Sequence, residues 1–180
     1  MLQTLLLKMR GAGKSPPRVG RVEILSSFLG SFAGMLLLAV LQAKVVDSSD
    51  AVLLIGSFAA SAVLLYAAPK SPLAQPRNLL GGHFLSALIG VSMRLALPGT
   101  LWLAAALAVA TAIAVMHMTR TLHPPGGATA FIAVTGGPKI AALGYVFALC
   151  PALAGALLLL GVALVANALT PGRRYPEYWW

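Results

Sequence analysis

The sequence predicts an all-α, polytopic membrane helix bundle with two Gly/Pro-interrupted short helices. Three observations carry that prediction. Hydrophobic residues make up 59% of the 180-residue chain and charged residues 9%, where a soluble globular domain carries roughly 25% charged residues. The apolar residues fall in runs near the length of about 20 that a helix needs to cross the hydrocarbon core. The net charge of +9 sits mainly between and beside those runs, as the positive-inside rule expects of a membrane protein.

Residues 1–22 form a basic segment with Lys8, Arg10, Lys14, Arg18 and Arg21, expected to anchor on the cytoplasmic face. Leu5-Leu6-Leu7 is too short for a signal-peptide core, and the basic residues follow it rather than precede it. A transmembrane domain is expected over 23–170. Its first run, 24–46, is of spanning length. The second, 51–68, is interrupted by Gly56, Ser57 and Ser61. The third, 79–97, carries His83 near one end and Arg94, expected to snorkel, near the other. Pro98-Gly99-Thr100 turns the chain into the cleanest run, 101–118. After His123-Pro-Pro-Gly-Gly comes a short run, 128–134, closed by Gly136-Gly137-Pro138. The last run, 140–169, is too long for one straight span, and Pro151 within it predicts a kink. Cys150 reads as a small packing residue. Residues 171–180 read as an aromatic interfacial tail, with Arg173 and Arg174 as anchoring charges.

The order of runs repeats. Ala60-Ser61-Ala62 leading to Pro69-Lys70 matches Ala128-Thr129-Ala130 leading to Pro138-Lys139. Ser86-Ala87-Leu88-Ile89-Gly90 matches Pro151-Ala152-Leu153-Ala154-Gly155. Two copies at 23–97 and 101–169 would form a 3+3 inverted repeat, a transporter plan. Four crossings result if both short segments re-enter, and six if both cross. Six places Lys70, Arg77 and Arg120 inside and the acidic loop 47–50 outside, so the positive-inside rule favours six.

The break at Thr119-Arg-Thr-Leu-His-Pro-Pro-Gly-Gly-Ala-Thr-Ala130 is the leading candidate site. Backbone polar groups at membrane depth cannot face lipid unpaired. A helix starting near Gly126 would aim bare amides at whatever precedes it, and such an end attracts anions. Arg120, His123, Gly126, Gly127, Ala128 and Thr129 are therefore expected around a small anion. The competing reading is a buried, satisfied loop with His123 bonded to a carbonyl. Ser57 and Ser61 would supply the second half of the site if the repeat holds, or close helix packing if it does not. Arg77, Asn78 and His83 would line a vestibule, or else an ordinary interfacial loop.

No nucleophile–base pair, carboxylate pair or metal-ligand cluster stands out, so neither an enzyme nor a metal or other cofactor is expected. No acid lies inside a run, which argues against a carboxylate relay. His83, His117 and His123 are the side chains that titrate near neutral pH, leaving proton coupling through histidine open.

These motifs resemble the HPP family of integral membrane proteins, named for the tripeptide at His123-Pro124-Pro125. Ser71-Pro-Leu-Ala-Gln-Pro-Arg-Asn78 with Gly81-Gly-His83 is similar to the family's other recurrent block. Gly56-Ser57 with Ser61-Ala-Val-Leu-Leu65 and the closing Tyr175-Pro-Glu-Tyr-Trp179 also resemble it. The resemblance implies four membrane spans and, from plastid and cyanobacterial relatives, nitrite transport. The expected function is a transporter or channel for a small monovalent anion, nitrite or nitrate first. A non-transporting scaffold or sensor partner is the alternative. Expected partners are the lipid bilayer and a small inorganic anion. A homo-oligomer is compatible with this plan, and nucleic acid is not expected. The expected location is a bacterial plasma membrane with both termini cytoplasmic.

Overall fold

The computed structural model describes residues 1–10, 13–42 and 56–180. Its helices are α1 (Leu2–Met9), α2 (Arg21–Gln42), α3 (Gly56–Ala67), α4 (Pro76–Ala96), α5 (Leu101–Met118), α6 (Pro124–Thr135), α7 (Pro138–Leu143) and α8 (Ala148–Ala168). No strand occurs among the described residues. The short α1 was not foreseen. Lys44, the acidic loop 47–50 and the start of the second run, 51–55, lie outside the described residues.

Hydrogen bonds between helix ends fix the direction of each helix. Ser27 Oγ, near the start of α2, donates to Tyr66 O at the end of α3 (2.7 Å), so the chain has returned to the end of the bundle where α2 began. Arg77 at the start of α4 donates to Thr119 O beyond α5 (2.7 Å). Arg94 near the end of α4 donates to Val134 O (2.9 Å) and Gly136 O (2.8 Å) at the end of α6. Helices α4 and α6 therefore run parallel, and α5 runs against them. Arg173, just beyond α8, pairs with Glu23 at the start of α2 (2.6 Å), which sets α8 against α2.

Among the described residues, the helix directions thus give six passes between the two ends of the bundle. Four helices are long and apolar enough to cross a membrane: α2, α4, α5 and α8. The other two passes hold α3 and α6. With 12 residues, α6 is only about 18 Å long, against a core of about 30 Å. Counts of four and of six therefore describe the same chain. Arg21, Lys70, Arg77, Arg120, Arg173 and Arg174 gather at one end of the bundle, with Arg94 and Lys139 towards the other.

The halves repeat in packing as well as in order. Helix α2 packs on α8, and its counterpart α5 packs on α4. Gly90 of α4 lies against Ala130 of α6, and Gly155 of α8 lies against Phe58 of α3. Helices α2 and α5 run in opposite directions, so the halves are related by inversion. One core joins α2, α3, α4 and α8 through Leu38, Leu65, Tyr66, Leu79 and Leu159. Another packs the alanine face of α5 (Ala104, Ala105, Ala108, Ala112) on Ala130 and Val134 of α6. Such small residues let helices approach closely where burial against lipid gives little drive. Phe28, Phe32 and Leu36 of α2 and Trp102 and Ile113 of α5 point outward, as lipid-facing side chains do.

Four expectations are corrected. Arg94 does not snorkel but caps the last carbonyls of α6, which have no partner within their helix. Arg173 is no free anchor. Its side chain is 4% exposed and bonds Glu23, Ser27 Oγ (2.9 Å) and Asn167 Oδ1 (2.9 Å). The aromatic tail straps the Pro72–Ala74 turn and Gln75: Tyr175 OH donates to Ala74 O (2.9 Å), Tyr178 OH to Pro72 O (3.3 Å), and Glu177 N–H to Gln75 Oε1 (2.9 Å). The break at Pro151 forms as expected, with Cys150 non-helical at φ −138°, ψ 119°. It turns the Cys150 side chain outward rather than into packing.

Candidate functional site

The site starts where α5 stops. Thr121 N–H reaches Met116 O (2.9 Å) and Arg120 N–H reaches His117 O (3.3 Å), the double closure of a Schellman motif. Arg120 holds the left-handed position with φ 56°, where glycine is usual. His123 is extended (φ −139°, ψ 104°) and precedes α6.

The bare amides expected at the start of α6 are absent. Pro124 and Pro125 have no N–H to offer, and Gly126 N–H bonds His123 O (2.8 Å). Helical geometry gives the Gly127 amide the same i−4 carbonyl. The prolines that let a helix begin at little cost also strip it of the donors an anion needs. Gly126 serves close packing instead: a Cβ there would lie 2.8 Å from Gly82 O and 2.9 Å from Ser86 Oγ. Gly127 meets only Val109, at 3.8 Å. Ala128 faces outward and belongs to no site.

What the break does build is a buried polar chain among α3, α4 and α6. His123 Nδ1 lies 2.8 Å from Leu73 O and its Nε2 2.9 Å from Ser61 Oγ. Ser61 Oγ is 2.8 Å from His83 Nε2. His83 Nδ1 is 2.7 Å from Thr129 Oγ1, which is 2.8 Å from Ser57 Oγ. Pro125 O closes the chain as an acceptor for Ser57 (3.0 Å). Ser61, His83 and His123 are fully buried, and Phe58 covers His83 with ring centroids 5.0 Å apart.

With both rings neutral, the Leu73 end fixes the protons as far as Thr129, and the single Ser57 proton then goes either to Thr129 Oγ1 or to Pro125 O. A carbonyl only accepts, so His123 carries its proton on Nδ1, facing Leu73 O. Its Nε2 then accepts from the Ser61 hydroxyl. Ser61, having donated once, accepts from His83 Nε2–H. His83 Nδ1 is left as an acceptor for Thr129. With the unmade bond at the Ser57 end, both tautomers follow from the Leu73 carbonyl.

Arg77, Asn78 and Arg120 lie outside this chain. With Leu73, His117 and Trp180 they line a cavity of about 380 Å³, free of Asp and Glu. Arg77 and Asn78 also tie the loop after α5, with Asn78 donating to Leu122 O (2.9 Å). The Arg120 side chain is exposed. Leu73 joins the two regions, because it lines the cavity and its carbonyl ends the chain. Towards the other end of α4 lies a second cavity of about 370 Å³, beside Arg94, Pro98 and Ile140. Between them α4 and α6 close tightly, since a Cβ on Gly90 would come within 2.5 Å of Ala130 O.

Apart from Gly126, Gly127 and Ala128, the sequence-predicted residues thus divide into two sets. Ser57, Ser61, His83, His123 and Thr129 meet inside the bundle; Arg77, Asn78 and Arg120 meet at its end. The sequence offered no signal for Leu73 O, and none for the close pairing of Ser61 with His123. A serine and a histidine are thus brought together where no nucleophile–base pair was visible in the sequence. Ser61 is fully buried and lines none of the described cavities. No group of three or more metal-ligating side chains occurs among the described residues.

Residues 16–176 match the family described as HPP, transmembrane region. The chain belongs to the HPP family. It is similar to two transmembrane proteins of Dictyostelium discoideum. One is 47% identical over 96% of this chain and 56% of its own length. The other is 48% identical over 94% of this chain and 60% of its own length. This HPP chain therefore spans a little over half the length of the curated relatives it matches. No solved structure matches it. The match takes in the whole buried chain and Leu73, Arg77, Asn78, His117 and Arg120 of the basic cavity, and ends at Pro176, within the strap.

Proposed function

We propose that this protein carries a small monovalent anion, nitrite or nitrate first, across a membrane. On this reading the anion enters at the cavity lined by Arg77, Asn78, His117 and Arg120 and not at the start of α6. One observation carries the proposal. Arg120 occupies a left-handed position where a glycine would avoid a strain of about 1–2 kcal/mol, and it stands on an acid-free cavity rim. Backbone strain that a smaller residue would relieve is a pointer to function. The basic end of the bundle is then the cytoplasmic end, by the positive-inside rule. The reading is of a carrier or pore, not an enzyme, and the bacterial plasma membrane remains the proposed location.

Arg120→Gly separates function from folding. It should raise the melting temperature in detergent by relieving about 1 kcal/mol of strain. It should also cut nitrite uptake into proteoliposomes at sub-saturating nitrite by about tenfold, the worth of one charge-assisted contact. Uptake equal to wild type would reject the entry site. No protein-dependent flux of nitrite, nitrate or formate would reject transport, and the scaffold reading would take its place.

A further inference from the structure

We propose that His83, Ser61 and His123 form a binding site for a single proton, and that transport through this protein is coupled to protons. The coupling rests on the transport reading above; the proton site does not.

The site lies inside a body whose described residues offer no carboxylate in the interior to carry a proton. No Asp or Glu is buried among the described residues. The side chains around the two rings are Ser57, Phe58 and Ser61 from α3 and Thr129 from α6, with the Leu73 carbonyl at one end. The titratable group facing each imidazole is the other imidazole, with centroids 5.1 Å apart. The charged residues of the adjoining segments, Arg77 and Arg120, line the cavity beyond Leu73.

The hydroxyl between the rings lets the chain take one proton without losing a bond. Suppose the proton is added at His123 Nε2. That nitrogen changes from acceptor to donor, and Ser61 Oγ accepts from both rings through its two lone pairs. The Ser61 hydroxyl proton turns to Ser57 O, its neighbour one turn back at 3.5 Å. Suppose instead that it is added at His83 Nδ1. Thr129 then accepts, and its own proton turns to Pro125 O at 3.3 Å. Both forms hold one excess proton and differ only in which ring carries it. A second proton would place two imidazolium rings side by side in a buried site, where like charges are not tolerated together. The capacity is therefore one. The charge appears where α3, α4 and α6 meet, on the contact that must loosen for a path to open between the two cavities.

The test reads the protons directly. The protein is labelled with 15N-histidine, carries His117→Gln, and is held in lipid nanodiscs. Near pH 8 the two remaining rings should be neutral and of opposite tautomer, one Nδ1–H and one Nε2–H. On acidification, with helicity followed in parallel, the pair should take up one proton, not two. Two rings of the same tautomer, two independent protonations, or none before helicity is lost would each overturn the site.

A second arm uses proteoliposomes. Nitrite uptake driven by a pH gradient should fall about tenfold in Ser61→Ala, as loss of a buried hydrogen-bonding hydroxyl predicts, and recover in Ser61→Thr. Exchange of nitrite at equal pH should fall much less. Flux in the wild type that ignores the gradient would overturn the coupling. Single-proton uptake in a protein without anion flux would uphold the proton site, and the anion reading alone would fall.

Discussion

Two contacts in this molecule occupy equivalent places and have opposite chemistry. Where α4 meets α6, Gly90 and Gly126 bring the backbones together, and the space beside them is filled by His83, His123 and Thr129. Where α8 meets α3, Gly155 makes room for the Phe58 ring rather than for a backbone, and Leu65, Tyr66 and Leu159 pack beside it. The backbone plan has been used twice and the polar chain once. A glycine at this place on α4 and α8 is therefore common to both contacts. The imidazoles are not: an apolar core serves equally well in the other half. Fully satisfied buried polar networks demand that every member find its partner, and a bundle that needed only stability could have repeated the apolar version.

The sharpest way to break the comparison is to add a methyl group to each glycine contact. Gly90→Ala meets Ala130 O, a backbone atom, and Ala133 Cβ at 2.6 Å. It should cost about 3 kcal/mol, at the upper end for overpacking, seen as a lowered thermal midpoint in detergent. Gly155→Ala meets only the Phe58 ring, a side chain that can shift, and should cost about half as much. Equal losses would mean the two contacts are equally rigid.

Between those two in size is Thr129→Val, which keeps the shape but removes the hydroxyl between His83 and Ser57. An unsatisfied buried imidazole nitrogen should cost about 2 kcal/mol. Asn167→Leu strikes the polar tether of the apolar half, where Asn167 Nδ2 bonds Leu65 O (3.1 Å) and Oδ1 accepts from Arg173. About 1–2 kcal/mol should be lost there, and proteolysis of the C-terminal strap should quicken. The smallest effect is expected from Tyr66→Phe. Its one hydrogen bond, to Leu159 O, is 3.3 Å long, and about 0.5 kcal/mol is at stake. A Tyr66→Phe loss rivalling that of Thr129→Val would erase the contrast between the two contacts.

Much of this was legible in the sequence. Small residues at a fixed offset, as in Ala60-Ser61-Ala62 and Ala128-Thr129-Ala130, report α3 and α6 as equivalent helices. Periodic small residues leave a mark whatever they pack against. The helix start at Leu101 followed from the Pro98-Gly99-Thr100 turn, whereas α4 and α6 begin at Pro76 and Pro124, ahead of the starts near 79 and 126 that the sequence marked. The fate of single polar groups was less legible. Arg94, Arg173 and Tyr175 read as interfacial anchors, yet each bonds within the protein, with partners up to 150 residues away for Arg173. The amides at Gly126 looked available because a break and a helix start were visible. The carbonyl that closes the first of them comes from His123 itself, turned by its own extended conformation.

The sequence by itself determined the membrane environment and the all-helical bundle, because both are written in the lengths and composition of apolar runs; it left four and six crossings both open. Only the tertiary structure decided that Ser57, Ser61, His83, His123 and Thr129 form one chain, and which nitrogen of each ring holds its proton. Those follow from which donor meets which acceptor, and a pairing between residues as far apart as Ser57 and Thr129 leaves no trace in local pattern.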